Sequence, residues 1–396
     1  MSSAKPSLEL LRSLTDEHVL RALMGRPRLT RAEVAALTGI SKPTISEAFR
    51  RLEQAGAVVD TGERSHGRGR AGTYYSLSPA CGLALVVSIT PQGVVAETVD
   101  ALGRVTAAAE VPLDRGTDAG GAARGLVEAV AAVAPEAGTL RVRAAAVSAA
   151  DPVDRASGRL VHLPDSPFLV GDLDPASLLR GVVDGPVLVD NDVNWAARAE
   201  QAGEVGKAVS TAGAAGAAGA AGAAGAAGSS DDFVYLYLDE GLGCAVVTDG
   251  AVRRGHAGLA GEIAHVVTTG PDGRAMPLTE VFARLGLRRE GSTAIEVEAV
   301  RAADGVTLAA LATAVCGVLS AAVALADPEM VVVGGTWGRH AAFVAELSRQ
   351  AAGLPRPVHL VPAVVGPRPQ LAGARSAALE RLRDVIVDSA RDPATR

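Results

Sequence analysis

The chain has little cysteine, and the three cysteines it has are widely separated. Cys81, Cys244 and Cys316 form neither a closely spaced metal-binding pair nor a disulfide framework, which suits a reducing compartment. The first residues also lack a basic stretch followed by an apolar segment, so no secretory signal peptide is predicted. Every apolar run looks too short or too interrupted to cross a bilayer. These absences disfavour secreted and membrane-spanning classes and predict a cytoplasmic protein.

A helix-turn-helix pattern is present between residues 29 and 56. Thr30 followed by Glu33 forms a capping box, which marks the start of a short helix. Gly39 favours the end of that helix, because glycine readily takes the left-handed conformation. Ser41 is a good N-cap for the next helix. The spacing therefore predicts two short helices joined by a tight turn.

The second of these helices has one apolar face and one polar face. Four apolar side chains share one face: Ile45, Ala48, Phe49 and Leu52. The polar face suits a recognition helix in the major groove of DNA. The side chains that we expect to face DNA are Lys42, Thr44, Ser46 and Arg50. The alternative is an ordinary helical hairpin with a solvated charged face.

A basic hairpin follows the helices. Residues 58–59 and 74–77 are β-branched or aromatic and flanked by glycine, which predicts two strands. The arginines that we assign to the loop and expect to contact DNA are Arg64, Arg68 and Arg70. With an earlier helix at residues 16–25, the unit is predicted to be a winged helix, whose arginines reach phosphates or a narrow minor groove. The alternative is a solvated flexible loop.

The charge distribution agrees with DNA binding by the N-terminal part. Residues 1–80 hold twelve Lys or Arg and eight Asp or Glu, a balance of +4, whereas the whole chain carries −6. The remaining residues therefore carry −10. Basic charge concentrated in a small module is typical of nucleic-acid binding, and the acidic remainder disfavours a second nucleic-acid surface.

The rest of the chain alternates β-branched strands with helices, which indicates an α/β fold. The alternation occurs twice, in residues 81–200 and 231–375, and predicts two similar lobes with a cleft between them. The predicted division is a winged helix-turn-helix at 1–80 and an α/β domain at 81–396 with lobes at about 81–195 and 196–375. A Gly-Ala repeat at 211–230 cannot bury a core, so we interpret it as a flexible insert.

Four motifs together resemble the ROK family (repressors, open reading frames and kinases). They are GRGR at Gly67–Arg70, VDNDVNWAARAE at Val189–Glu200, GLAGEIAH at Gly258–His265 and MVVVGGTWG at Met330–Gly338. The resemblance implies the two-lobed fold of sugar kinases in the actin-like ATPase superfamily, preceded here by the winged helix of the family's regulators.

The resemblance also indicates where the catalytic Asp and the two phosphate-binding turns of a kinase would lie, and both turns are altered in this chain. Asp192 stands where the family's catalytic Asp stands. In the kinases, that carboxylate takes the proton from a sugar hydroxyl. The first phosphate-binding turn is replaced by residues 88–92, where Pro91 removes a backbone donor. The second turn carries Asp239 and Glu240, whose charges repel phosphate. We therefore predict no bound ATP, no cofactor and no catalytic residue.

The resemblance implies a zinc site and a sugar pocket as well. His265 matches the family's zinc-binding His, but no cysteine follows it, so no metal site is predicted. Asp151 replaces a glycine of the family's PGPVD segment, so the ligand can differ from a plain hexose. The sugar-binding residues that the resemblance implies are Asn191, Asp192, Glu262, His265 and Glu280. The alternative is that these inherited residues now hydrogen-bond internally.

Together these observations predict a DNA-binding transcriptional regulator, a repressor, with a catalytically inactive kinase-like domain. The expected partners are double-stranded operator DNA, a sugar or sugar-phosphate effector and further copies of the chain, as a homodimer or a dimer of dimers; no membrane is expected. Two alternatives remain. One is an active ROK kinase that phosphorylates a hexose with ATP, and the other is a DNA-binding protein that responds to no effector.

Overall fold

The computed structural model describes residues 8–65, 72–114, 116–136, 140–163, 170–203 and 231–391. Arg68 and Arg70, which we predicted to contact DNA, lie outside the described residues, as does the Gly-Ala insert.

The N-terminal unit is a winged helix. Its elements are α1 (Leu8–Met24), β1 (Leu29–Thr30), α2 (Arg31–Thr38), α3 (Lys42–Gln54), β2 (Val58–Arg64) and β3 (Thr73–Leu77). The predicted capping box is present, since Thr30 and Glu33 exchange hydrogen bonds at the start of α2. Gly39 ends that helix with a φ of 71°. The short sheet has the order β1-β3-β2, and the predicted apolar face of α3 is buried.

The first lobe is a five-stranded sheet with helices packed on it. Its elements are β4 (Leu83–Thr90), β5 (Gly93–Val99), β6 (Val105–Pro112), α4 (Ala119–Val133), β7 (Val142–Ala149), α5 (Pro175–Leu178), β8 (Val187–Asn191) and α6 (Asp192–Ala202). The strand order is β6-β5-β4-β7-β8. The first three strands form an antiparallel meander, whereas β4, β7 and β8 run parallel.

The second lobe repeats this arrangement. Its elements are β9 (Phe233–Leu238), β10 (Leu242–Thr248), β11 (Ala251–Val252), β12 (Val267–Thr269), β13 (Ala275–Pro277), α7 (Leu278–Arg284), α8 (Val297–Arg301), α9 (Gly305–Ala326), β14 (Met330–Gly334), α10 (Ala341–Ala351), β15 (His359–Pro362) and α11 (Pro369–Arg391). The main sheet has the order β11-β10-β9-β14-β15, so counted from its own first strand each lobe reads 3-2-1-4-5. The prediction of two similar α/β lobes is confirmed.

Helix α9 is the apolar core helix of the second lobe. By length and composition alone it is long enough to cross a membrane, which corrects the expectation that every apolar run is too short. Leu311, Val315 and Leu319 are fully buried in the same hydrophobic cluster as the central strands β9 and β14. One face of α9 therefore packs against the central strands of the second lobe.

Helix α11 returns from the second lobe and joins the first lobe to the winged helix. Its buried residues Leu382 and Ile386 belong to one hydrophobic cluster that also contains Leu20 of α1 and Val86 of β4. Arg383 donates hydrogen bonds to the main-chain oxygens of Met24 and Ala101, one on each side of the predicted boundary at residue 80. The winged helix is therefore packed onto the first lobe through shared apolar contacts, and the division into domains stays a prediction.

Candidate functional site

The first candidate site is the exposed face of α3. Ile45, Ala48 and Phe49 are fully buried against the rest of the winged helix, so the opposite face is left at the surface. The predicted DNA-facing residues lie on that face: Lys42, Thr44 and Arg50 are exposed, and Ser46 is half-buried. The Thr44 hydroxyl lies 2.7 Å from the Ser41 hydroxyl, within the cap that begins the helix.

Acidic neighbours pair with two of the arginines predicted to contact DNA. Arg50 pairs with Glu47 one turn earlier on α3, with both side chains at least half exposed. Arg64, at the end of β2, donates a hydrogen bond of 3.1 Å to Asp60. Exposed pairs of this kind contribute little to stability, so these two arginines can exchange their carboxylates for phosphates at little cost.

The second candidate site is a cleft between the two lobes. Strands β4, β7 and β8 run parallel and end at the same edge of the first sheet, where open α/β sheets bind ligands. Residues Thr90, Ala150 and Asn191, at or just after these strand ends, line a cavity of about 170 Å³. The second lobe forms the other side with residues 239–244 and most of residues 258–265.

The predicted sugar-binding residues are brought together in part. Asn191, Asp192, Glu262 and His265 all line the cavity. Glu280 is not among its lining residues; its carboxylate accepts a 3.2 Å hydrogen bond from Arg284 on the same helix. Thr279, one residue earlier, does line the cavity.

Asn191 and Asp192 occupy the turn between β8 and α6. The Asn191 side chain accepts a hydrogen bond from the main-chain N–H of Val193, so Asn191 is the N-cap of α6. Asp192 is the first residue of that helix. Burial raises the pKa of Asp192 to about 7, although a hydrogen bond from the Val193 N–H opposes the change, and the charges of Glu262 and Asp239 add to it.

Two further carboxyl groups lie close to Asp192. Asp151, just after β7, is 2 % exposed. Burial, followed by the charges of Asp192 and Glu262, raises its pKa to about 7. Glu262 is open to the cleft, but the surrounding protein still removes enough water to raise its pKa to about 7. This end of the cleft, here called the sugar end after the residues that the resemblance assigns to a sugar, therefore holds three interacting acids whose charged forms are disfavoured.

The other end of the cleft is occupied by internal hydrogen bonds. One carboxylate oxygen of Asp239 accepts bonds of 2.8 Å and 2.6 Å from the main-chain N–H and the hydroxyl of Thr336, just after the Gly-Gly turn that follows β14. Glu240 pairs with Arg289 and accepts a 3.2 Å bond from Gln92 of the first lobe. At the positions that the resemblance assigns to phosphate, the chain thus supplies its own carboxylates.

The sequence prediction missed several residues of the cleft. Gln370, in the first turn of α11, lines the cavity although it lies far along the chain from the other lining residues. Arg289 and Thr336 hold Glu240 and Asp239, at the end of the cleft that the resemblance assigns to phosphate, here called the nucleotide end. No local motif marks Gln370 or Arg289, whereas Thr336 follows the Gly-Gly pair that the resemblance had already singled out.

The segment after His265 forms the hairpin β12–β13. Thr268 is buried and its hydroxyl donates a 2.7 Å bond to the main-chain oxygen of Ala314 on α9. Across the part of the chain that the structure describes, no group of three or more His, Cys, Asp or Glu side chains is close enough to hold a metal ion.

The fold and cleft define a two-lobed ROK and actin-like sugar-kinase fold preceded by a winged helix. A family model described as winged helix-turn-helix DNA-binding matches residues 12–59, and the ROK family model matches residues 207–276. No curated protein sequence matched the chain. The chain therefore combines a fold of the ROK type with an N-terminal winged helix-turn-helix, a unit that implies DNA binding.

Solved structures share this architecture in whole or in part. A ROK family transcriptional regulator, a homolog of the E. coli MLC protein, superposes with a TM-score of 0.60 at 16% identity, over 96% of this chain and 99% of that chain. A ROK family glucokinase from Streptomyces griseus, in complex with glucose and AMPPNP, covers 75% of this chain and 99% of its own, with 24% identity and a TM-score of 0.52. A ROK hexokinase from Thermus thermophilus covers 76% of this chain and 99% of its own, with 24% identity and a TM-score of 0.54. The similarity to a regulator, unlike that to the kinases, extends over the winged helix.

Proposed function

We propose that this protein is a transcriptional repressor whose kinase-like domain senses a small molecule and does not transfer phosphate. The observation that carries the proposal is the exposed polar face of α3, on a winged helix whose hydrophobic core continues into the first lobe. The likeness to a ROK family transcriptional regulator over 96% of the chain supports the same function.

Geometry at the nucleotide end of the cleft disfavours the alternative of an active kinase. A phosphate needs free N–H and O–H donors from the turns that surround it. The Asp239 carboxylate already accepts both donors of Thr336, and it would repel a phosphate brought to the same place. Pro91, just after β4, has no N–H to offer. We therefore propose that ATP is neither bound nor hydrolysed.

Helix α11 provides a direct physical connection from the cleft to the winged helix. Its first turn contributes Gln370 to the cavity lining. Near its other end, Arg383 donates to the main-chain oxygen of Met24, and Arg391 pairs with Glu17 of α1. An effector that moves α6 or the start of α11 thereby changes the position of the winged helix. Coupling of this kind is reciprocal, so DNA and effector alter each other's affinity by the same factor.

A single winged helix contacts few base pairs, so we propose that two copies of the chain act together. The expected operator is an inverted repeat whose half-site centres are about 10 base pairs apart, or a multiple of that. Sedimentation of the complex and footprinting of the operator test this; a monomer bound to one short asymmetric site would contradict it.

DNA binding is tested by fluorescence anisotropy on fragments taken from upstream of the protein's own gene. Arg50→Ala should weaken binding and lower the salt slope by about one unit for the lost phosphate contact. Glu298→Gln, which removes an exposed carboxylate of the second lobe, is the matched control and should change nothing. Wild-type protein that binds no fragment above non-specific affinity would contradict the proposal.

A further inference from the structure

A second cavity lies where the winged helix meets the first lobe. Three parts of the chain line it: the turn at residues 55–57 between α3 and β2, the start of β7, and the last turn of α11. Its volume is about 320 Å³, against about 170 Å³ for the cleft between the lobes. Protein interiors are close-packed, and pockets for small ligands occur preferentially where domains meet. An open cavity of this size at such a junction is therefore a candidate ligand site.

The walls of this junction cavity are mostly small and apolar, but its charged groups are mainly basic. Small side chains leave the space open, and apolar walls favour the apolar body of an organic ligand. Among the described residues that line the cavity, the charged ones are Arg141, Arg143 and Asp184. The cleft is the opposite, since its lining includes no Lys or Arg within the described ranges. The junction cavity therefore favours an anion. The apolar wall residues are Ala55, Ala57, Ala80, Cys81, Ile386 and Ala390.

Arg143 is held in place by contacts on two sides. A Cβ added to Gly82, whose φ is 96°, would lie 2.7 Å from Cδ of Arg143, so the glycine lets the main chain pack directly on the arginine side chain. The guanidinium donates a 2.5 Å hydrogen bond to the Ser389 hydroxyl on α11. A guanidinium carries five N–H donors, so Arg143 can bind Ser389 and an oxyanion together.

Arg141 is the more accessible of the two arginines. Its side chain is 70% exposed, and its Nε lies 3.8 Å from the carboxylate of Asp184, which is beyond hydrogen-bond distance. Exposed pairs of this kind contribute little to stability, so Arg141 can exchange Asp184 for a ligand at little cost. Side chains two residues apart on an extended chain project from the same side, which is why Arg141 and Arg143 both reach the cavity.

We propose that the junction cavity binds a small organic oxyanion, a carboxylate or a phosphate monoester, through Arg141 and Arg143. Guanidinium groups bind both kinds of oxyanion through paired N–H donors. An anion in this cavity contacts the first lobe, the end of α11 and the turn after α3, and it thereby stabilises the packing of the winged helix on the first lobe. Its consequence for DNA binding rests on the proposed function.

Matched probes that differ in charge test the preference for an anion. The probes are phenyl phosphate, benzoate, inorganic phosphate and the neutral benzamide, titrated calorimetrically into the full-length protein at pH 7 and constant ionic strength. At least one of the two aromatic anions should bind about tenfold or more tightly than benzamide, because hydrogen bonds between charged groups are stronger. The comparison of phenyl phosphate with benzoate decides between a phosphate and a carboxylate.

Three results with these probes would overturn the inference. They are binding of benzamide as tight as that of both aromatic anions, no binding of either aromatic anion at millimolar concentration, and binding of inorganic phosphate as tight as that of phenyl phosphate. The last result would mean that the apolar walls contribute nothing and that the arginines attract any small ion.

Charge-removing variants locate the bound anion. Arg141→Gln and Arg143→Gln should each weaken it by about tenfold or more. Arg301→Gln, which removes a half-exposed arginine of the second lobe, is the matched control and should bind as the wild type does. Should Arg143→Gln fail to fold, Arg141→Gln decides the matter, because that side chain is exposed. Wild-type affinity in Arg141→Gln, or affinity lost in Asp192→Asn instead, would overturn the inference, the second result by placing the anion in the cleft.

The outcomes keep this inference apart from the proposed function. Protein that binds operator DNA but neither aromatic anion would leave the regulator standing and overturn the anion site. Protein that binds phenyl phosphate or benzoate through Arg141 but no operator DNA would support the anion site and contradict the regulator.

Discussion

The two ends of the cleft contain the same kind of side chain in opposite circumstances. At the nucleotide end, Asp239 and Glu240 are held by Thr336 and Arg289. At the sugar end, Asp151 has a buried oxygen with no donor, and its pKa is raised by burial and by its acidic neighbours. Asp239 and Glu240 therefore have donors within the protein, whereas Asp151 Oδ1 has none.

The two ends of the cleft also differ in the segments to which their acidic residues are attached. Glu240 and Asp239 are tied to residues of the second lobe and to Gln92, whereas Asp192 begins α6, and α6 packs along α11. Helix α11 continues to the winged helix. Packed helices therefore connect Asp192 to the winged helix. The following predictions test this contrast, from the largest expected effect to the smallest.

The contact between α6 and α11 should be the most sensitive to substitution. A Cβ added to Gly373 would lie 1.9 Å from the main-chain oxygen of Trp195, so Gly373→Ala must force the two helices apart. We expect a loss of about 3 kcal/mol or more in the free energy of unfolding, measured by urea denaturation. Gly305→Ala, at the start of α9 with open space around it, should leave stability unchanged or slightly raised. Equal effects of the two changes would show that the helices do not meet closely.

Internal bonding at the nucleotide end predicts that its acids stabilise the fold. Asp239→Ala removes the acceptor for the N–H and hydroxyl of Thr336 and should cost about 2 kcal/mol of unfolding free energy. Asp239→Asn keeps one acceptor oxygen and should cost less. Asp192→Asn, at the other end, should cost nothing. If Asp192→Asn destabilised the protein and Asp239→Ala did not, the contrast between the two ends of the cleft would be reversed.

Most local structure could be predicted from the sequence, because it depends on neighbouring residues. The Thr30–Glu33 capping box, the end of α2 at Gly39 and the buried face of α3 require only local patterns, and all three are confirmed. The repetition of strands also predicted the two lobes.

What the sequence did not predict depends on contacts between distant segments. Gln370 reaches the cleft only because α11 crosses back to the first lobe, and Arg289 reaches Glu240 across 49 positions of the chain. Glu280 was assigned to the pocket by its motif, but it lies one residue beyond Thr279 on α7, so the helix presents Thr279 to the cavity. The sequence predicted that Asp239 and Glu240 repel phosphate, but it did not predict that Thr336 and Arg289 donate hydrogen bonds to them.

The sugar end should make stability depend on pH. Asp151, Asp192 and Glu262 have raised pKa values near 7, so the folded protein keeps protons that the unfolded chain releases near pH 4. The free energy of unfolding should therefore fall as pH rises from about 4 to 7. Asp151→Asn should flatten this fall and raise stability at pH 8 by about 2 kcal/mol, with little change at pH 4. Thermal unfolding in buffers across this range measures it. A variant whose profile is parallel to that of the wild type would contradict the unpaired state of Asp151.

The smallest expected effect is that of nucleotide. A ligand that binds only the folded state at a hundred times its Kd stabilises it by about 2.7 kcal/mol, which a thermal shift readily detects. An effector bound at the sugar end should produce such a shift. Mg-ATP should not, because its phosphates would have to displace the Asp239 carboxylate from Thr336 and then remain beside it. Millimolar Mg-ATP is therefore expected to leave the melting temperature of the wild type unchanged, and equally that of Asp192→Asn. A shift by Mg-ATP that disappears in Thr336→Ala would show that phosphate competes successfully with the internal carboxylate, and the two ends of the cleft would then both be open to ligands.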